Sequence, residues 1–316
     1  MLAGAALACA AGSQEATPVP FRSRAEAIPS EAGKRLPADD LFPPVLHNNS
    51  WQEPVPLTGP VNTAGAEDSP FITPDGRTLF FFFTPDASVP AQEQLFDGAT
   101  GIWWTHYAGG AWEEPERVAL GDEVSLDGCP FFMDDVLWFC TARASNTRDI
   151  EFYTARWSGD GWEPVENAGE LLNVEYGIGE MHLSADGSTL LFHWTEEGGY
   201  GGIDIWQVTR TAEGWSAPVN LGPTINTAAD EGWPYLSPDG QELWFTGTSR
   251  LGYPGPALFR SIRTESGEWG PAEEIASQFA GEPTLDAAGN LYFIHHFMSA
   301  EFEIIEADIY VAYRQP

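Results

Sequence analysis

From about residue 50 onward, short apolar runs alternate with polar, turn-forming clusters, and the runs recur in groups. The second run of each group is the most apolar: Leu79–Phe83, Leu137–Thr141, Leu190–Trp194, Leu243–Gly247 and Leu291–His295. Runs this short, bounded by Gly, Pro and Asp, predict buried strands and not helices. Each follows an inner run: Ser69–Thr73, Cys129–Met133, Glu180–Ser184, Trp233–Ser237 and Glu282–Asp286. Between the two lie turns such as Pro74-Asp-Gly76, Ala185-Asp-Gly187 and Pro238-Asp-Gly240, whose glycines supply the positive φ of a tight hairpin. Third runs begin at Gly101, Asp149, Gly202, Ala257 and Ala307. A fourth opens on a Trp close to Pro or Glu, at Trp51, Trp112, Trp162, Trp215 and Trp269, with intervals of 61, 50, 53 and 54 residues.

Four short strands repeated at this period predict an all-β fold, a five-bladed β-propeller of four-stranded antiparallel blades. The last blade lacks its fourth strand. Ser50–Leu57 is expected to supply it by pairing beside residues 307–314, so that the ring closes and leaves no long exposed edge. The chain then divides into a truncated signal or lipoprotein segment (1–11), a flexible tether (12–49) and the propeller (50–316).

The stretch Asn226-Thr, Asp230-Glu231, Pro234-Tyr-Leu-Ser237-Pro-Asp-Gly240 and Leu243-Trp-Phe245 resembles the TolB-like propeller repeat. The resemblance extends over residues 50 to 316. It implies the fold and little about function, because such repeats serve translocation proteins, peptidases, lyases and lipoproteins. Blade two departs, with Met133-Asp-Asp135 at the turn, and blade five has Asp286-Ala-Ala-Gly289.

Charge narrows the partners. With 47 acidic against 14 basic residues and a net charge of -33, the surface repels phosphate backbones and anionic lipid, so nucleic acid is excluded as a partner. The start, Met1-Leu-Ala-Gly-Ala-Ala-Leu-Ala-Cys9, looks like the end of a lipoprotein signal lacking its basic region, with Cys9 the lipidation site. Export to the periplasm, cell surface or medium is expected, as a monomer touching membrane only through that anchor. Cys129 and Cys140 fall opposite each other if Met133–Val136 makes the turn, within disulfide range, which is the expected state in an oxidising compartment.

Connections after the second runs are long and the others short, so one face carries the loops where binding and catalysis concentrate. Inner strands begin on that face with carboxylates. Glu67, Asp127 and Glu231 share one register, and the resemblance implies a structural role between blades for an acid there. Glu180 and Glu282 fall two residues later, so a strict period of two places all five on one side, followed by His182 and Thr284. Glu180, His182 and Glu282 depart from the repeat and are the candidate catalytic group. His193, His295 and His296 end second strands near the same face, where His182, His193, His295 and Glu180 could hold a divalent ion, calcium or a transition metal. Arg143, Arg148 and Arg250 lie in the loops as anion ligands or as partners of neighbouring acids, and Trp194 and Trp233 could stack on a sugar ring.

Two functions remain open from sequence: an exported propeller binding a protein, peptide, glycan or small molecule at its acidic channel, or a glycoside hydrolase or polysaccharide lyase using the same mouth. Five-bladed propeller glycosidases place carboxylates at inner-strand starts of different blades, an analogy of fold that Glu67, Asp127 and Glu180 would satisfy. Neither a serine nucleophile elbow nor a phosphate loop is present.

Overall fold

The computed structural model describes residues 20–121, 125–143, 145–147, 150–169, 173, 180–195 and 198–316. Among the described residues the recurring runs lie in four hydrogen-bonded sheets, the largest of which holds two antiparallel units, the first and the fifth of the series. The first contains Ala66–Ile72, Thr78–Thr84 and Gly101–Ala108, edged by Ala111–Trp112 and Glu116–Arg117. The second is Ser125–Met133, Val136–Arg143, Glu151–Trp157 and Trp162–Asn167, and the third begins Met181–Leu183, Thr189–Trp194, Asp204–Thr211. The fourth is Glu231–Leu236, Glu242–Thr248, Pro256–Ile262 and Glu273–Ser277; the fifth is Ala280–Leu285, Leu291–Met298 and Ile304–Ala312. Val55–Pro56 pairs with Tyr310–Val311 on the outer side of the fifth unit, and Trp51 bridges Arg314, as the missing fourth run required. A parallel contact between Ala307 and Ala66 joins the fifth unit to the first.

Four of the five second strands carry runs of consecutive buried residues, whereas Val136–Arg143 alternates buried and half-buried ones. Leu79, Phe80, Phe81 and Phe83 have no exposed surface, and every residue of Leu291–Met298 is buried. This is why they read as continuous apolar runs and not as an alternation. Trp51, Trp112 and Trp162 are core residues. Trp215 and Trp269 are only partly buried, and Arg210 and Arg263 lie 4.3 and 4.0 Å over their rings. In the Asp-Gly turns, Thr73, Ser184 and Ser237 each donate a hydroxyl hydrogen bond to the turn aspartate, and the glycines all sit at φ 68°. The second unit's turn does without glycine: Asp134 and Asp135 take φ 53° and 61°, a conformation aspartate tolerates.

Residues 20–49, part of the segment expected to be a tether, make specific contacts with the sheets. Over this range the chain is a strap laid across the loop face. Arg24 is buried and bonds Val61 O and Glu67; Lys34 is paired with Glu306 and Asp308; Asp40 meets His295; and Val45–Leu46 adds a strand beside Glu273–Ser277. Phe42 stacks between Phe279 and Phe302, at 5.5 and 5.3 Å. Polar and Pro-rich composition concealed this, because the strap is held by scattered ion pairs and not by a core of its own.

Candidate functional site

The inner strands do not keep a period of two. Their pairing with the second strands slips between Asp68 and Phe71, Gly128 and Phe131, Gly232 and Tyr235, and Gly281 and Thr284. At each slip the residue before proline is left-handed: Ser69 at φ 45°, Cys129 at 53°, Trp233 at 51° and Glu282 at 56°. A non-glycine residue pays strain there, yet four units repeat it. These are β-bulges, which re-aim a side chain. Their residues, with Glu180 of the third unit, line one cavity of about 40 Å³ between the units.

The bulge separates carboxylates that strict alternation had grouped. Glu67 accepts the Thr63 amide and hydroxyl at 2.8 and 2.6 Å and pairs with Arg24 at 3.1 Å. Glu231 repeats this with Thr227 at 2.7 and 2.6 Å, and Arg250 stands 3.5 Å away. Asp127 takes the hydroxyls of Ser125 and Thr141 and Arg143 at 2.8 Å. None of the three lines the cavity. They brace the loops, and Arg143 and Arg250 are their partners, lying also over Tyr153 and Phe259 at 4.7 and 4.4 Å.

Glu180 and Glu282 line the cavity, and beside them, outside its lining, stands a residue that sequence reasoning missed, Asp68. Asp68 is buried and accepts the Ser69 amide at 2.9 Å, while the Ser69 hydroxyl donates to Glu180 at 2.6 Å. Burial pushes the Glu180 carboxyl up to about 8, with the Asp68 charge adding to it against the Ser69 hydrogen bond. Burial, then Asp68, then Glu180 hold Glu282 well above the usual carboxylate range, and burial also raises Asp68. The Asp68 and Glu282 carboxyls lie close enough for each to affect the other's ionisation, and Glu282 Oε2 is buried with no hydrogen-bond partner among the described residues. The signal that could have found Asp68 is the repeated X-Pro step at Ser69-Pro, Cys129-Pro, Trp233-Pro and Glu282-Pro, which marks the bulge.

Below the carboxylates the cavity is floored by Phe71, Phe131, His182, Tyr235 and Thr284. His182 is wedged edge-on against Phe131 and Tyr235, each at 4.6 Å, and burial holds its imidazole down at about 3, hence neutral. It belongs to the floor and is no proton-transfer group at the mouth. His193 accepts the Trp233 amide at 3.2 Å and is lowered by burial to about 4; His296, buried, is lowered to about 3. His295 lies under the strap. The four residues expected to hold a metal are therefore not brought together: His182 and Glu180 line the cavity, His193 and His295 do not, and among the described residues no group of His, Cys, Asp and Glu is arranged as a metal site. Trp233 lines the cavity, whereas Trp194 packs on Trp206 at 5.2 Å, away from it. Cys129 and Cys140 are disulfide-bonded with Cα atoms 5.4 Å apart, although Gly128 and not Cys129 directly opposes Cys140. Arg148 and Cys9 lie outside the described residues.

No family model matches the chain, and no curated protein matches it. Among solved structures it is similar to a thermostable family-43 glycoside hydrolase, at 12% identity and a TM-score of 0.52, covering 82% of this chain and 97% of that one. The chain is an all-β propeller. Two other similar propellers are an α-L-arabinofuranosidase from Podospora anserina, at 13% identity, TM-score 0.48 and coverage of 83% and 96%, and a putative TolB from Agrobacterium tumefaciens, at 14%, 0.43 and 80% and 92%. At these identities the likeness concerns the fold alone.

Proposed function

We propose that this propeller is a glycoside hydrolase-like enzyme whose chemistry lies at the mouth of its axial cavity. One observation carries the reading: Glu180 and Glu282 line one cavity with Asp68 beside them, three carboxyls from three different units in surroundings that drive their proton affinities up. A carboxyl near 8 is protonated at neutral pH and can donate to a departing oxygen. Glu180 is assigned as that acid. The Asp68–Glu282 pair supplies the ionised carboxylate that activates water or attacks carbon. Trp233 offers an aromatic face beside them. Calcium, if used, would meet these carboxylate oxygens and not the histidines.

A second reading, binding without turnover, is favoured by the size of the cavity. About 40 Å³ admits a few waters or one small polar group, not a sugar ring, so a substrate must rest on the rim with only its reacting oxygen inserted. We further propose five blades closed into a ring by Ser50–Leu57, a TolB-like repeat ancestry, and an exported monomer anchored through Cys9. The pairing of Val55–Pro56 with Tyr310–Val311 supports the closure, and the disulfide supports export.

The test is hydrolysis of a panel of aryl glycosides and plant polysaccharides by the wild type and Glu180→Gln, with calorimetric binding of the same sugars. Turnover that falls at least a hundredfold in the variant, with an activity limb lost above about pH 8, supports the acid. Binding without turnover in both proteins establishes the second reading. Turnover unchanged in the variant removes Glu180 from the chemistry.

A further inference from the structure

Under the strap lies a buried polar patch that the cavity chemistry does not use. His295 and Asp308 stand directly opposite each other across the second and third strands of the fifth unit. Tyr310, two residues beyond Asp308, shares their face. Exposure is 0%, 1% and 2% for the three. Each is already half-committed. His295 Nε2 meets Asp40 Oδ2 at 2.7 Å, and Asp308 Oδ2 takes the Lys34 ammonium at 2.6 Å. The remaining polar atoms, His295 Nδ1, Asp308 Oδ1 and the Tyr310 hydroxyl, have no hydrogen-bond partner among the described residues. They share one neighbourhood: the Tyr310 and His295 rings pack edge-on at 5.1 Å, and burial, followed by the charges of Asp308, Asp40 and Glu306, raises the Tyr310 phenol.

We infer that one water molecule is built into this patch, bridging His295 Nδ1, Asp308 Oδ1 and the Tyr310 hydroxyl. The hydrogen-bond inventory selects it. Nδ1 of the imidazole and the free Asp308 oxygen need a partner able both to donate and to accept, so that it serves them whichever of the two carries a proton. Tyr310 then donates to it. Two donors and an accepting lone pair on one small centre describe water, which when buried ordinarily makes about three such bonds. A metal cation is disfavoured, because the Lys34 ammonium already sits on the other oxygen of Asp308 and would repel it. Bare, the three atoms would each carry their full desolvation cost.

The bridge has a structural result. Asp40, His295, water, Asp308 and Lys34 become one unbroken chain of bonds, so that two strap residues are joined to each other through the fifth unit and the strap is fastened as a loop.

Tyr310→Phe in the full-length chain tests this by its sign. With the water present, the variant removes one good hydrogen bond and the unfolding equilibrium constant in urea rises about two- to tenfold. With a bare hydroxyl, removing it relieves a cost, and the constant falls or stays put, which overturns the inference. Crystallography of the wild type near atomic resolution decides independently of the variant. A single peak within hydrogen-bonding distance of all three atoms supports the water; no peak, or a peak with anomalous scattering, rejects it.

Discussion

Two sets of carboxylates stand one or two repeat positions apart at the starts of the inner strands and have opposite environments, Glu67 and Asp68 sharing a strand. Glu67, Asp127 and Glu231 each face an arginine and one or more hydroxyls. Asp68, Glu180 and Glu282 face one another and the hydroxyl of Ser69. The first set has its charges paired; the second does not, and on the proposed reading that leaves it available for chemistry. Burial and acidity alone do not separate the two sets. The partner does.

The largest expected effect comes from removing the partners of the first set and of the fifth unit together. Deleting residues 1–44 takes away Arg24, Lys34 and Asp40 and leaves Glu67, Glu306, Asp308 and His295 buried without them. A loss above about 5 kcal/mol in urea unfolding is expected, since one broken buried pair already costs about 3–5 kcal/mol. An unchanged midpoint would return this segment to the status of a tether. Arg143→Ala comes next. It strands Asp127 and should cost about 3–5 kcal/mol, measured by the same unfolding curves against Arg143→Lys, which keeps the charge and should recover part of the loss.

Smaller still is the disulfide. Cys129→Ser with Cys140→Ser opens a loop spanning 11 residues, for which chain entropy gives about 3 kcal/mol; a thermal melt with and without reductant checks it. The smallest effect belongs to the second set. Glu180→Gln mimics the protonated carboxyl, so it should leave the melting temperature unchanged at pH 5 and raise it slightly at pH 9. The sign follows from the raised affinities. Groups favoured in their protonated form by the fold, Glu67 and Asp308 at about 7 and Glu180 at about 8, stabilise fully below the unfolded value of about 4.3 and lose that contribution as pH climbs through 7 and 8. Wild-type melting temperature should therefore fall between pH 5 and pH 9. A melting temperature that rises over this interval contradicts the assignment of protonated carboxyls.

The repeat was legible because its signals are local. Asp-Gly turns, five-residue apolar strands and the recurring Trp each depend on neighbours in sequence, and the pairing of Val55 with Val311 followed from counting strands. The site was half legible. Glu180 and Glu282 stood out by departing from the repeat, but Asp68 hid behind Glu67, since alternation assigns it to the opposite side of the strand and nothing in the repeat singles it out. His182 stood out with Glu180 and Glu282, but nothing in the local sequence reveals that Phe131 and Tyr235 pack against it. The strap was illegible. Lys34 and Asp308 are separated by 274 residues, and no pattern near either announces the other.

The fifth unit is assembled from both ends of the polypeptide, with Val55 on Val311 and Ala66 beside Ala307. An open array of repeats can fray from either terminus and gain order one module at a time. Here the fifth unit gains its outer strand only when residues near 55 meet residues near 311, so its order depends on segments far apart in the sequence. Its decisive contact spans about 250 residues, which places it among slow, topologically late events. Until that contact forms, the unpaired edges of the first and fifth units are exposed together, and the nascent chain has most need of a chaperone then.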